Sequence, residues 1–353
     1  MDQKNRKRKF LIGLRYYIYF AVLTICLLLL FNIPYFRELN SLFVDKLHGH
    51  IAPRPEIVIV AIDDASLQAI GAWPWKRDIF AKTLSNLDRY KPKVIGLDIL
   101  FLEDREGDEA VSRFLQNTAV PIVFGSKLSD NTILRSKFVG PKSFDGFINF
   151  APDSDGKIRQ SLMSTLINNI CVESFAFTNL KYYLGPSQTS ACELGIHWGN
   201  NTTTGPQVGF NYTAGKFKTV SFIDLYLGRA DAQIFTNKIV LIGSTAQDLK
   251  SNLNDNLTDI FGKSSPGITF HANVINSFLE NRFQHDLNRG MVYAIVGAGG
   301  LLLAFLFRKI KNNLVDLVIL AVVFVFSNFI GLFVCDCGIK WPFLTFSLLV
   351  ISS

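Results

Sequence analysis

The uncharged stretch at residues 16–36 constrains this chain more than any other feature. It follows a strongly basic amino terminus, with Lys or Arg at positions 4, 6, 7, 8, 9 and 15. It has about the ~20 residues that a helix needs to cross ~30 Å of hydrocarbon. No small-residue cleavage site follows it. We therefore expect an uncleaved membrane anchor rather than a signal peptide.

Three more apolar runs, at 291–307, 314–334 and 341–353, end the sequence, and the basic loop 308–313 separates the first two. Basic residues stay cytoplasmic, so this loop and the amino terminus are predicted inside and the long middle segment outside. The last run has 13 residues, which is too short to span at about 1.5 Å per residue. We expect the chain to continue beyond Ser353.

These observations predict an ordered arrangement of segments in the lipid bilayer. They are a cytoplasmic basic terminus (1–15), a first transmembrane helix (16–36), an extracytoplasmic domain (37–288), and transmembrane helices two to four, the last incomplete (289–353).

The net charge of +7 does not indicate a nucleic-acid partner. Residues 36–288 contain 25 Lys and Arg against 26 Asp and Glu, so this part is nearly neutral. The excess positive charge lies in the flanks, where it orients membrane segments.

The middle segment reads as an α/β domain with a mainly parallel sheet. Continuous β-branched runs at 56–63, 93–101, 120–126 and 238–244 are typical of strands covered on both faces. Helical patterns at 78–90, 106–117, 173–184 and 266–282 alternate with them. A further strand is predicted at 207–212, and a hairpin at 146–169 around a polar turn at 153–156. The complete fold class adds all-α transmembrane helices, one before this domain and up to three after it.

Polar residues follow three of the predicted strands. Asp63, Asp98 and Ser244 each lie at a strand end, and ligands of open parallel sheets bind outside those ends. Two carboxylates there could hold a divalent cation, or the amines or hydroxyls of a small molecule. The alternative is structural: Asp64 caps a helix and Asp63 pairs with Arg77.

Trp73 and Trp75, next to Arg77, could offer flat faces beside a cation to a sugar or an aromatic ligand. They could equally be buried against the sheet. Ser244 and Thr245 superficially resemble a phosphate loop, but the glycine spacing of such loops is absent. The predicted ligand site consists of Asp63, Asp64, Trp73, Trp75, Arg77, Asp98, Ser244 and Thr245.

No catalytic or metal residue is predicted. The histidines lack the spacing of a zinc site, and no Gly-x-Ser-x-Gly elbow is present. A disulfide between Cys171 and Cys192 stays open, because spacing alone does not show whether the two approach.

Five stretches together resemble the CHASE2 family of extracytoplasmic sensor domains in bacterial transmembrane signalling proteins. They are "IVIVAIDDASLQAIGAWPWKRDIFAKTLSNL", "KVIGLDILF", "PDSDGKIRQ", "KIVLIGSTAQDLKSN" and "SPGITFHANVINSFLE". The family's motifs correspond to Asp63, Asp64, Trp73, Pro74, Trp75, Arg77, Asp98, Gly243, Ser244, Pro266, Gly267, His271, Ala272 and Asn273.

The resemblance implies a multi-pass protein of the bacterial cytoplasmic (inner) membrane. Its output domain, a cyclase or a kinase beyond the last helix, would be cytoplasmic. No established ligand comes with the family, so the ligand stays an unknown small molecule or condition.

The leading hypothesis is therefore a sensor that relays an extracytoplasmic signal through membrane helices. A homodimer is expected, because its membrane helices can move relative to those of the partner. Gly290, Ala294 and Ala298 would permit close approach of helices, but Gly and Ala are also common in membrane helices without such a role. The rival hypothesis is an exported enzyme that uses Asp63 and Asp98 with a divalent cation for hydrolysis. A scaffold that binds an envelope partner is a third.

Overall fold

The computed structural model describes residues 51–286 apart from 130–131, 186–206 and 247–256, together with 289–309, 339–340 and scattered positions between 14 and 45. The chain divides into two compact units. One is Met1–Gly49 with Gln284–Ser353, and the other is His50–Phe283. The second unit falls inside the predicted extracytoplasmic domain.

Within the described residues the strands are β1 (Ile57–Ile62), β2 (Val94–Leu97), β3 (Ile122–Ser129), β4 (Thr132–Leu134), β5 (Ser143–Phe147), β6 (Gln160–Leu162), β7 (Ser164–Ile167), β8 (Ile170–Glu173), β9 (Gln207–Phe210), β10 (Lys218–Ser221), β11 (Ile239–Ser244), β12 (Leu257–Thr258), β13 (Ser264–Ser265), β14 (Phe283–Asp286) and β15 (Ile339–Lys340). The helices are α1 (Asp64–Ile70), α2 (Arg77–Arg89), α3 (Asp108–Asn117), α4 (Phe175–Leu184), α5 (Phe222–Tyr226), α6 (Gly267–Leu279) and α7 (Arg289–Lys309). A 3₁₀ turn covers Ala232–Ile234.

A mainly parallel sheet lies at the centre of the His50–Phe283 unit. Its order is β10-β1-β11-β2-β3-β4, and β5 also pairs with β3. Among the strand pairs described in this sheet, only β3–β4 is antiparallel. Strands β1 and β2 are buried along their whole length, as continuous apolar runs require. The predicted sheet type is confirmed.

Two helical layers cover this sheet. Alternate residues of β1 contact opposite layers: Val58 and Val60 pack with α2, α3 and α5, whereas Ile57 and Ile59 pack with α4 and α6. The period-two alternation of a strand produces this division. Both faces of the sheet are therefore core.

The predicted hairpin at 146–169 is wrong. Strand β5 pairs in parallel with β3, and β6 pairs with β9. The predicted turn does close, through hydrogen bonds from Asp153 N to Lys157 O and from Gly156 N to Asp153 O. The start of the predicted hairpin overlaps the end of β5, which extends the central sheet beside β3 instead of pairing with the residues that follow the turn. A hairpin forms instead between β7 and β8, around Asn168 and Asn169 with positive φ.

Among the described residues, no helix combines the length and the apolar character needed to cross a bilayer. The predicted run at 291–307 is helical within α7. Most of 16–36, all of 314–334 and all of 341–353 lie outside the described residues. The membrane spans stay predictions.

Candidate functional site

The residues predicted at strand ends lie along one edge of the sheet, the edge formed by the carboxyl ends of the parallel strands. Ile62 of β1 lies opposite Ser244 of β11, and the amide of Asp98 donates to the carbonyl oxygen of Ile242 at 2.8 Å. Asp63 and Asp98 thus follow β1 and β2, and Ser244 is the last residue of β11, which lies between those two parallel strands. We call this edge the rim.

Asp63 is the residue that caps α1. Its Oδ1 accepts hydrogen bonds from Ser66 N at 2.9 Å, Ser66 Oγ at 2.5 Å and Ser221 Oγ at 2.9 Å. Its backbone is extended, with φ −98° and ψ 175°, as a capping position requires. Asp64 is already helical and exposed. The assignment of the cap to Asp64 is therefore wrong by one residue.

Asp98 lies at the amino end of α6. A β-carbon built on Gly267 would be 3.6 Å from Oδ2 of Asp98. The residue before α6, Pro266, provides no side-chain cap. A carboxylate at this end of a helix is stabilised by the helix dipole. Asp98 therefore connects the rim to α6.

The turn after β11 does not present a phosphate loop. The amides of Thr245 and Ala246 both donate to the carbonyl oxygen of Ile62, at 3.0 and 3.1 Å. Those amides are thus already bonded. Ser244 Oγ is buried without a hydrogen-bond partner in the described part of the chain.

The two tryptophans have different environments. Trp75 is 3% exposed, donates from Nε1 to Gly71 O at 2.8 Å, and lies 5.1 Å from the ring of Phe222. Trp73 is only partly buried and meets Trp75 edge-on at 5.3 Å. The burial alternative holds for Trp75, while Trp73 keeps a partly exposed face.

Arg77 does not pair with Asp63, which corrects the predicted ion pair. Its side chain is buried, with Nε 3.5 Å from Asp108 Oδ1 and Cζ 4.2 Å from the Phe101 ring centroid. Burial, and then the charge of Arg105, lower the pKa of Arg77. Asp108, whose Oδ2 accepts from Lys137 Nζ at 2.7 Å, was not nominated. This pair joins the amino ends of α2 and α3, so Arg77 is structural.

A buried ion pair was also missed in "PDSDGKIRQ". Arg159 is 3% exposed, and it donates to Asp153 Oδ2 at 2.8 Å and Asp155 Oδ2 at 2.7 Å. The hydrogen bond from Arg159 lowers the pKa of Asp155. Two aspartates closely followed by an arginine were the available signal.

His271 lies within α6 between the rings of Phe150 and Phe175, at centroid distances of 4.7 and 4.9 Å. It is 2% exposed, and Nδ1 has no hydrogen-bond partner among the described residues. Burial lowers the pKa of His271 to about 3. The ring is therefore neutral at physiological pH.

The described residues contain no group of three or more His, Cys, Asp or Glu side chains suited to a metal ion. A pocket of about 560 Å³ lies between α2 and α3 and contains none of the predicted site residues. Cys171 is disulfide-bonded, and Cys192 lies outside the described residues.

The CHASE2 domain model matches residues 20–307, which include the whole His50–Phe283 unit and the rim. The chain belongs to the CHASE2 family. CHASE2 domains are extracytoplasmic sensor domains of membrane proteins. No curated protein and no solved structure matches this CHASE2 chain.

Proposed function

We propose that this chain is the input module of a bacterial inner-membrane receptor. The His50–Phe283 unit faces the extracytoplasmic space, senses a small molecule or an envelope condition, and signals through membrane helices to a cytoplasmic cyclase or kinase. The family match over residues 20–307 carries this proposal, because CHASE2 is a family of sensor domains and the matched residues include the whole His50–Phe283 unit.

The rim is the proposed sensing site. Asp63 uses only Oδ1 in its hydrogen bonds to described residues, which leaves Oδ2 to meet a ligand. The partly exposed ring of Trp73 supplies a flat apolar surface, and such mixed surfaces suit small ligands. The carboxylate favours a ligand with amine or hydroxyl donors.

Sensing requires two arrangements of the domain with different affinities for the signal. Reversing a 1:99 population to 99:1 needs about 5.5 kcal/mol of preference. In a homodimer, which we also propose, a change of this kind would move membrane helices relative to those of the partner.

The test uses the full chain joined after Ser353 to an adenylate cyclase catalytic domain. Candidate amines, sugars and polyols that raise the melting temperature of the chain are added to the extracytoplasmic side, and cyclase output is measured. We expect compounds that stabilise the chain to change the output at least about three-fold, which corresponds to ~0.65 kcal/mol.

Asp63→Asn should weaken both responses. The matched control is Asp231→Asn, another aspartate cap, which accepts from Gln233 N at 3.0 Å near the opposite edge of the sheet. If stabilising compounds leave the cyclase output constant, the sensor proposal fails.

A further inference from the structure

Helix α6 extends from the rim to the place where the chain enters and leaves the unit. Its first turn packs tightly on β11, since a β-carbon on Gly243 would lie 2.9 Å from Cβ of Ile268. Its 13 residues span about 20 Å at ~1.5 Å per residue. The unit begins at His50 and ends at Phe283, so the last turn of α6 lies close to its carboxyl end.

Asn276 ties this last turn to the incoming chain. Its Oδ1 accepts from Arg54 N at 2.8 Å, and its Nδ2 donates to Ala52 O at 3.1 Å. The side chain is fully buried, so the backbone of the incoming segment depends on it for two hydrogen bonds. One turn later, Glu280 Oε1 accepts from Arg54 Nη1 at 3.2 Å.

The outgoing chain is held by the same part of α6. The amide of Arg282 donates to Ser277 O at 2.9 Å. Asn211 bridges Ser277 and Arg282. Its backbone N–H donates to Ser277 Oγ at 2.9 Å, and its side-chain Nδ2 donates to Arg282 O at 3.0 Å. Incoming and outgoing segments are thus both fixed to the end of α6.

We infer that α6 carries a change at the rim to both chain ends, and that Asn276 is the positioning residue that makes the incoming segment follow. The inference rests on the proposed sensor function and names the coupling element of the same site. Protein interiors are close-packed, so α6, buried along most of its length, moves as a body when its first turn is displaced. Coupling requires an element that both sites contact, and α6 meets the rim and both chain ends.

The test perturbs the rim without any ligand. Asp98→Asn removes the charge at the amino end of α6 and keeps the side-chain shape. Backbone amide hydrogen exchange is followed by mass spectrometry on the full chain in detergent, at residues 51–57 and 280–283. The same comparison is made in an Asn276→Ala background. The matched control background is Asn86→Ala in α2, on the opposite face of the sheet. Asn86 Nδ2 donates to backbone carbonyl groups of α5 at 3.0 and 3.2 Å and forms no hydrogen bond to the incoming segment among the described residues.

We expect Asp98→Asn to change exchange in both segments on the order of five-fold, the ratio that corresponds to one buried hydrogen bond. With Asn276→Ala the effect at 51–57 disappears, while the effect at 280–283 persists. With Asn86→Ala both effects persist. If Asn276→Ala does not fold, Asn276→Asp, which keeps the acceptor for Arg54 N and loses the donor to Ala52 O, should weaken the response at 51–57.

The inference is overturned if Asp98→Asn changes neither segment, or if segment 51–57 responds equally with and without Asn276. Either result would leave the proposed sensor function standing, because that function is judged by ligand-dependent cyclase output. Conversely, the cyclase output could fail to respond to ligands while Asp98→Asn still changes exchange in both segments. That result would overturn the proposed sensor function and leave the coupling role of α6 standing.

Discussion

Helices α2 and α6 both have 13 residues and pack on opposite faces of the same sheet, yet they are built differently. Six residues of α2 are buried, and its other face is solvated. Nine residues of α6 are buried, and four of these are polar: His271, Asn273, Asn276 and Ser277.

The buried polar side chains of the two helices also differ in their hydrogen-bond partners. Thr83, a buried polar residue of α2, donates to Ile79 O of its own helix at 2.8 Å. The side-chain amide groups of Asn273 and Asn276 form hydrogen bonds with the backbone of segments far away in sequence. Helix α2 also reaches a distant segment, through the half-buried Asn86, whose Nδ2 donates to backbone carbonyl groups of α5 at 3.0 and 3.2 Å. The side-chain amides of α6 are more deeply buried, and they fix the backbone where the chain enters the unit.

The largest expected loss of stability, caused by removing a buried phenylalanine, should be similar on the two faces of the sheet. Phe270→Ala in α6 and Phe80→Ala in α2 each empty a site that is at most 1% exposed. Each should lower the free energy of unfolding by about 3–5 kcal/mol, as measured by denaturant titration of the purified chain. A loss below about 1 kcal/mol at either site would contradict this symmetry of the two apolar layers.

Substitutions at buried polar positions should lower the free energy of unfolding by different amounts in the two helices. Asn276→Ala leaves Arg54 N–H and Ala52 C=O without partners, and should cost about 2–4 kcal/mol. Thr83→Ala, the control in α2, removes only a bond within the helix and should cost about 1 kcal/mol or less. Equal losses in the same titration would remove the distinction between the helices.

Lowering the pH should reduce the stability of the folded chain, because His271 in α6 is buried in its neutral form. Its pKa in the folded chain, about 3, lies below the ordinary value of 6.5, so the unfolded chain binds the proton first. Stability is therefore complete above pH ~6.5 and falls toward pH ~3, by up to ~1.4 kcal/mol per pH unit. At pH 5 the loss should be about 2 kcal/mol. His271→Leu should show a shallower decline between pH 6.5 and 4; an unchanged slope would refute the assignment.

The smallest effect concerns the cap of α1. Asp63→Ala removes the acceptor of Ser66 N and Ser221 Oγ and should cost about 1 kcal/mol. Asp64→Ala, at the adjacent exposed position, should cost less. If Asp64→Ala were the more damaging of the two, the position of the cap in the structure would be contradicted.

Much of the fold follows from the sequence, because strands buried on both faces and amphipathic helices leave clear periodic patterns. Helix α2 is predicted at 78–90 and observed at Arg77–Arg89. The rim is also predictable, since parallel strands bring Asp63, Asp98 and Ser244 to one edge. Periodicity does not choose strand partners, which is why β5 was assigned to a hairpin.

Pairings over long sequence separations were not predictable. Arg77 was matched with Asp63, but its carboxylate partner is Asp108, which the loop after β2 brings to the amino end of α2. Asn273 and Asn276 lie in the predicted helix at 266–282, but helical periodicity does not show that these polar side chains are buried. Their backbone partners are 60 or more residues away, so no local pattern reveals them.

The location of the His50–Phe283 unit can be measured directly. A membrane-impermeant maleimide is applied to Ser154→Cys, an exposed position, in intact spheroplasts and in inverted vesicles, with the parent chain to subtract native cysteines. Asn5→Cys in the basic terminus serves as the cytoplasmic control. An extracytoplasmic sensor predicts that Ser154→Cys is labelled in spheroplasts and Asn5→Cys only in inverted vesicles. Labelling of Ser154→Cys in inverted vesicles alone would contradict it.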